Sequence, residues 1–176
     1  MTVFQTIFDL IAIRSFSNLW YWIALAVTWS TASHWVLGVP YDMVLRARRR
    51  GGVAGEDLHD ITRVNVRRIM GISREAGLVL AGLVPAILSF LAVTGFLYDS
   101  ELAQAVFLLA CPLCIVWLAS LRLAKRLEPG LETGMPVELL IQVLARHRLT
   151  IQSVGLVAIV VTALWGMYQN LRYSVF

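Results

Sequence analysis

Residues 76–121 read AGLVLAGLVPAILSFLAVTGFLYDSELAQAVFLLACPLCIVWLASL, and their only charged residues, Asp99 and Glu101, sit where two apolar runs meet. Each run is close to the ~20 residues that a helix needs to cross a hydrocarbon core. The stretch therefore predicts two transmembrane helices, 76–98 and 102–121, joined by a tight turn. Two further stretches of similar character, 19–39 and 151–171, complete a predicted set of four spans. The whole chain agrees: of 176 residues 59% are hydrophobic and 15% charged, and the mean hydropathy is +0.73. Soluble domains carry about a quarter charged residues.

The fold class expected is all-α: a polytopic membrane protein with four transmembrane helices in an antiparallel bundle. The net charge of +4 is very unevenly spread. Arg46, Arg48, Arg49, Arg50, Arg63, Arg67, Arg68 and Arg74 fall between the first two spans, and Arg122, Lys125, Arg126, Arg146 and Arg148 between the last two. Only Arg14 and Arg172 remain for the other side. An excess of bases marks cytoplasmic loops. The two basic linkers, 40–75 and 122–150, are thus predicted to be cytoplasmic, with both termini on the non-cytoplasmic side of a bacterial cytoplasmic membrane.

The opening residues MTVFQTIFDLIAIRSF lack a basic n-region and a small-residue cleavage site, unlike a signal peptide. Phe4, Ile7, Phe8 and Ile11 share one helical face, which predicts an amphipathic interfacial helix over 1–16. Ser17 or Asn18 is placed to cap the first span. Trp20, Tyr21 and Trp22, Phe96 and Tyr98, and Trp165, Tyr168 and Tyr173 fall at the outer boundary, where amphipathic rings are favoured.

Each basic linker also predicts a helical extension. After Gly51, Gly52 and Gly55, the acids Glu56 and Asp57 suit a first turn, and Leu58, Ile61, Asn65, Ile69 and Ile72 recur at spacings of three and four. In the second linker the break is expected at LEPGLETGMP, after which Pro136 opens a helix carrying Leu140, Val143, Leu144 and His147 on one face.

Few residues suggest chemistry. Cys111 and Cys114 form a C-P-L-C pair about ten residues into the third span, ~15 Å deep at 1.5 Å per residue. The C-P-x-C spacing resembles the active dithiol of glutaredoxins over these four residues, and would imply a membrane thiol oxidoreductase. The four-helix quinone-dependent disulfide-forming membrane proteins are similar in size, but they use a second cysteine pair in an outer loop that this chain lacks. Because an apolar site suppresses the reactive thiolate, the cysteines read primarily as packing residues. Pro85 and Pro112 lie at similar depth and predict a pair of helix kinks.

The first span carries the polar stretch VTWSTASHW. Thr28, Thr31 and His34, spaced by three, are expected to share an intramembrane polar face turned toward another helix. Among the bases, Arg46, Arg48, Arg49, Arg50, Arg67 and Arg68 are the candidates for contact with anionic lipid headgroups or a partner. Interleaved aromatic residues for stacking bases are missing, which argues against nucleic acid. No acid or base occupies the middle of a span, as ion-coupled transport usually needs. No metal or cofactor motif is evident.

These features point to a non-catalytic accessory, scaffolding or assembly subunit of a larger membrane complex. Its partners would be lipids and other membrane subunits or copies of itself. The alternative is a homo-oligomeric channel with the polar face of the first helix lining the pore.

Overall fold

The computed structural model describes residues 15–174. Helix dominates, as the composition requires. After a 3₁₀ turn at Ser15–Ser17 come α1 (Leu19–His34), a two-stranded hairpin of β1 (Trp35–Val36) and β2 (Val39–Pro40), α2 (Tyr41–Arg50) and α3 (Val53–Ala92). A π-helical turn at Val93–Leu97 leads to α4 (Glu101–Glu132) and α5 (Val137–Ser174). The interfacial helix expected over 1–16 falls almost wholly outside the described residues.

Among the described residues three helical stretches are long and apolar enough to cross a membrane: Val53–Leu97, Glu101–Glu132 and Val137–Arg172. They contain the spans predicted at 102–121 and 151–171 and all but Tyr98 of the one predicted at 76–98, and each begins or ends well beyond the predicted bounds. The stretch 19–39, predicted as the first span, is not among them: its helix, α1, ends at His34 after 16 residues. Its start is capped by Asn18, whose side-chain oxygen accepts the Trp20 N–H at 3.0 Å. Its end is set by the hairpin. Leu37 and Gly38 both have positive φ, 54° and 74°, and bring Trp35 opposite Pro40 and Val36 opposite Val39. Asn65 holds the turn by donating to the Gly38 carbonyl at 3.1 Å.

The basic segments are folded rather than linking. α2 turns Val44 and Ala47 inward, and α3 starts at Val53 and runs unbroken for 40 residues. α4 passes through Pro129 and Gly130, where a break was expected, and stops at Gly134. That glycine has φ +77°, and the Met135 N–H closes the helix end on the Gly130 carbonyl at 2.9 Å. Such a left-handed glycine is a common helix terminator.

The chain divides into two compact units, and α1, α3, α4 and α5 each contribute to both. In the unit made of 29–80 and 115–153, Val36, Val39, Val44, Ala47, Leu58, Val66, Ala124, Leu127, Leu131, Leu140 and Leu144 form a buried core. In the unit made of 1–28, 81–114 and 154–176, burial includes Phe16, Leu25, Ala103, Ala105 and Ala158. Its aromatic rings meet edge to face, Phe96 lying 5.2 Å from Trp165 and 5.6 Å from Phe107.

One side of α5 is buried at 140, 144, 147, 151, 155, 158, 162, 166 and 169. Steps of four and three over eight turns follow the 3.6-residue repeat. The other sides carry exposed Leu156, Val157, Leu164 and Met167.

Candidate functional site

The polar stretch of α1 is the first candidate. This helix packs through Leu25, 2% exposed, and Trp29, 4% exposed. Ser30, Thr31 and His34 are exposed, while Thr28 is half-buried. The expected common face of Thr28, Thr31 and His34 therefore splits. Residues three apart are each rotated by about 60°, so Thr28 and His34 differ by about 120° around the axis. Thr28, Ser30, Thr31, Ser33 and His34 make no side-chain hydrogen bond to another described residue. Among the described residues His34 makes only a ring contact with Trp35, at 5.8 Å.

The arginines are displayed on packed helices. Val44 and Ala47 anchor α2, leaving Arg46, Arg48, Arg49 and Arg50 exposed. Arg46 pairs with Asp42 of its own helix at 3.3 Å. On α3, Arg67 and Arg68 are exposed. Arg48, Arg49, Arg50, Arg67 and Arg68 have no ion pair among the described residues.

Arg63, Arg67 and Arg74 also face Glu128 and Glu132 across a cleft of about 190 Å³ floored by Val66 and Leu131. One ion pair bridges it, Arg74 to Glu128 at 2.9 Å. Arg148 stacks its guanidinium 3.8 Å above the Tyr41 ring.

The cysteines and prolines sit in continuous helices. α4 runs through Pro112 without interruption. Cys111 and Cys114 are free and half-buried. α3 likewise continues through Pro85. Each proline removes one helical donor, which leaves the carbonyls of Ala81 and Leu108 without their usual partners.

Two polar arrangements escaped the sequence reading. The first joins α4 and α5 in the unit containing Phe16. Gln104, fully buried, donates to the Gly95 carbonyl at 2.8 Å. Its own carbonyl accepts from Trp165 Nε1 at 2.9 Å and from the Gln169 amide. Gly95 lies inside the π-helical turn, where a side chain is excluded: a Cβ there would lie 2.9 Å from the Gln104 nitrogen. Nearby Glu101, 7% exposed, accepts the Phe16 N–H at 2.7 Å. Arg172 and Asp99 pair at 2.7 Å.

The second arrangement is a pair: Ser120 Oγ lies 2.9 Å from His147 Nε2, with His147 only 7% exposed. Both arrangements left a trace in the sequence, as amides or a hydroxyl interrupting apolar helix. A search limited to charged groups at mid-span overlooks them.

Among the described residues no group of three or more His, Cys, Asp and Glu side chains is placed to hold a metal. Comparison with protein-family models, with curated proteins and with solved structures finds no match.

Proposed function

We propose that this chain is a non-catalytic integral membrane protein that serves as an accessory, scaffolding or assembly subunit of a larger complex in the bacterial cytoplasmic membrane. In this reading 19–39, 76–98, 102–121 and 151–171 are four spans in an antiparallel bundle, and both termini are non-cytoplasmic. The asymmetry of the bases supports that orientation. The first crossing is the shortest, since α1 rises only about 24 Å at 1.5 Å per residue, and the antiparallel hairpin at 35–40 turns the chain back at its end.

The observation that carries the role is the display of unpaired arginines on packed helices. Arg48, Arg49 and Arg50 project from α2, whose inner side is fixed by Val44 and Ala47. A flexible basic tail loses side-chain and backbone freedom on binding; a basic face on a folded support loses less. Such a face suits anionic headgroups and the acidic surface of a neighbouring subunit.

A photo-crosslinker at position 49, activated in native membranes, tests this. Adducts with lipid and with a distinct membrane polypeptide, both weakened in an Arg48→Glu/Arg50→Glu background, are the expected result. Adducts with copies of this chain alone would overturn the accessory role.

The exposed hydroxyls of α1 favour a second reading, the homo-oligomeric channel. It requires solute flux through vesicles containing the purified protein alone, changed by Thr31→Leu or His34→Leu.

A further inference from the structure

The cleft between α3 and α4 holds charges of both signs that do not neutralise one another. It lies wholly within the unit made of 29–80 and 115–153. Arg63, Arg67 and Arg74 line its α3 wall, and Glu128 and Glu132 its α4 wall. At one end the walls meet in the Arg74–Glu128 pair, 2.9 Å apart. Toward the other end they stay apart, and no ion pair joins Arg63 or Arg67 to Glu132.

Arg63 and Arg67 are four residues apart, so their side chains are neighbours on one helix face, where like charges repel. Asp60 relieves Arg63 only in part: it approaches to 3.6 Å but is itself 73% exposed, and pairs so wetted contribute little. Arg63 Nη2 lies 3.2 Å from His59 Nδ1, while its Nε is buried without a partner among the described residues. Arg67 and Glu132 have no ion pair among the described residues. The packed helices thus hold two guanidiniums short of an anion opposite a carboxylate short of a cation.

We infer that the cleft binds a small phosphate monoester carrying a primary amine, of the phosphoethanolamine class. The phosphate lies between Arg63 and Arg67, and the ammonium against Glu132. A phosphate monoester carries a charge of about −1.5 to −2 at neutral pH and three strong acceptor oxygens, which match two guanidiniums. A carboxylate, by contrast, is satisfied by one arginine through a bidentate pair. The floor between the walls is apolar, Val66 being 2% and Leu131 1% exposed, and suits a short carbon linker. The cleft volume of about 190 Å³ equals about six waters' share of liquid, which is room for a solute of this size. A phosphatidylethanolamine headgroup carries the same two groups, but its phosphodiester has a single negative charge, so the paired guanidiniums favour the free monoester.

Isothermal titration calorimetry of the purified full chain in phosphatidylcholine nanodiscs tests this, with phosphoethanolamine, inorganic phosphate and ethanolamine as separate titrants. Phosphoethanolamine should bind at least about tenfold more tightly than inorganic phosphate, and ethanolamine should give no measurable heat. Arg67→Gln should weaken phosphoethanolamine and phosphate alike, by about tenfold or more. Glu132→Gln should bring phosphoethanolamine down to the affinity of phosphate without weakening phosphate itself. Arg122→Gln, which alters an exposed base outside the cleft, should change neither. Arg67 and Glu132 are exposed, and an unchanged thermal midpoint shows that each variant remains folded.

No binding of phosphoethanolamine, equal affinity for phosphoethanolamine and phosphate, or a Glu132→Gln protein that binds like the parent would each overturn the inference. A thermal midpoint raised by phosphatidylethanolamine in the nanodisc and by no soluble monoester would assign the cleft to a lipid headgroup and overturn it as well.

Discussion

Replacing Gln104 with leucine tests the buried amide cluster directly. The two side chains are of similar size, so the change removes hydrogen bonds with little change in packed volume. Three are lost: the donation to the Gly95 carbonyl and the acceptances from Trp165 and Gln169. Hydrogen bonds between helices in a membrane protein average about 0.6 kcal/mol in double-mutant cycles. A lower bound for the three is therefore ~2 kcal/mol.

The upper estimate comes from the partners left behind. Orphaning a buried polar group costs about 1–3 kcal/mol, and Gln169, 1% exposed, has few alternatives. The expected loss is about 2–5 kcal/mol, read from SDS titration in mixed micelles followed by circular dichroism. Leu102→Val, on the exposed side of the same helix, should change stability by no more than about 0.5 kcal/mol. A Gln104→Leu loss as small as that of the control would refute the assignment of the cluster as a packing determinant.

Gly95→Ala should destabilise the same unit by about 1–3 kcal/mol through steric overlap with the Gln104 backbone, seen as a lowered thermal midpoint in detergent. Leu140→Ala, at a fully buried position, should cost about 2–5 kcal/mol and speed proteolytic cleavage within 41–75. Ser120→Ala removes the partner of a buried His147 nitrogen and should cost about 1–2 kcal/mol in the same unfolding assay. Arg49→Glu should leave stability within about 0.5 kcal/mol yet weaken binding to vesicles of anionic lipid, each base near the surface contributing ~1 kcal/mol.

The long helices were legible because apolar length is a coarse, redundant signal. The runs at 76–97 and 102–121 are helical, and the charged pair at Asp99 and Glu101 marks the break between them. The segments predicted as linkers were less legible. Arg46 to Arg50 look like a topological signal, and only the placement of Val44 and Ala47 in a core shows that they ride on a packed helix.

Local signals were outweighed by packing in several places. Pro129 and Gly130 suggested a break, but the chain stays helical to Glu132, and Gly134 supplies the left-handed residue that ends it. The end of α1 at His34 depends on a hairpin whose turn begins at Leu37, an uncommon residue for positive φ. The amide cluster depends on pairing Gln104 with Gln169 and Gly95 in space, which no local spacing reveals. The interfacial helix predicted over 1–16 lies outside the described residues, apart from the turn at Ser15–Ser17.

The π-helical turn at Val93–Leu97 makes chain length, rather than composition, the sensitive quantity in its neighbourhood. Such a turn holds one more residue than an α-helical turn, and one residue corresponds to about 100° of rotation. Deleting a single residue there would leave the stretch as apolar as before. It would nevertheless swing the Gly95 carbonyl away from Gln104 and alter the approach to Glu101. Substitutions among similar apolar residues at exposed positions 93 and 97 should accordingly be tolerated, while one-residue insertions and deletions within 93–97 should not.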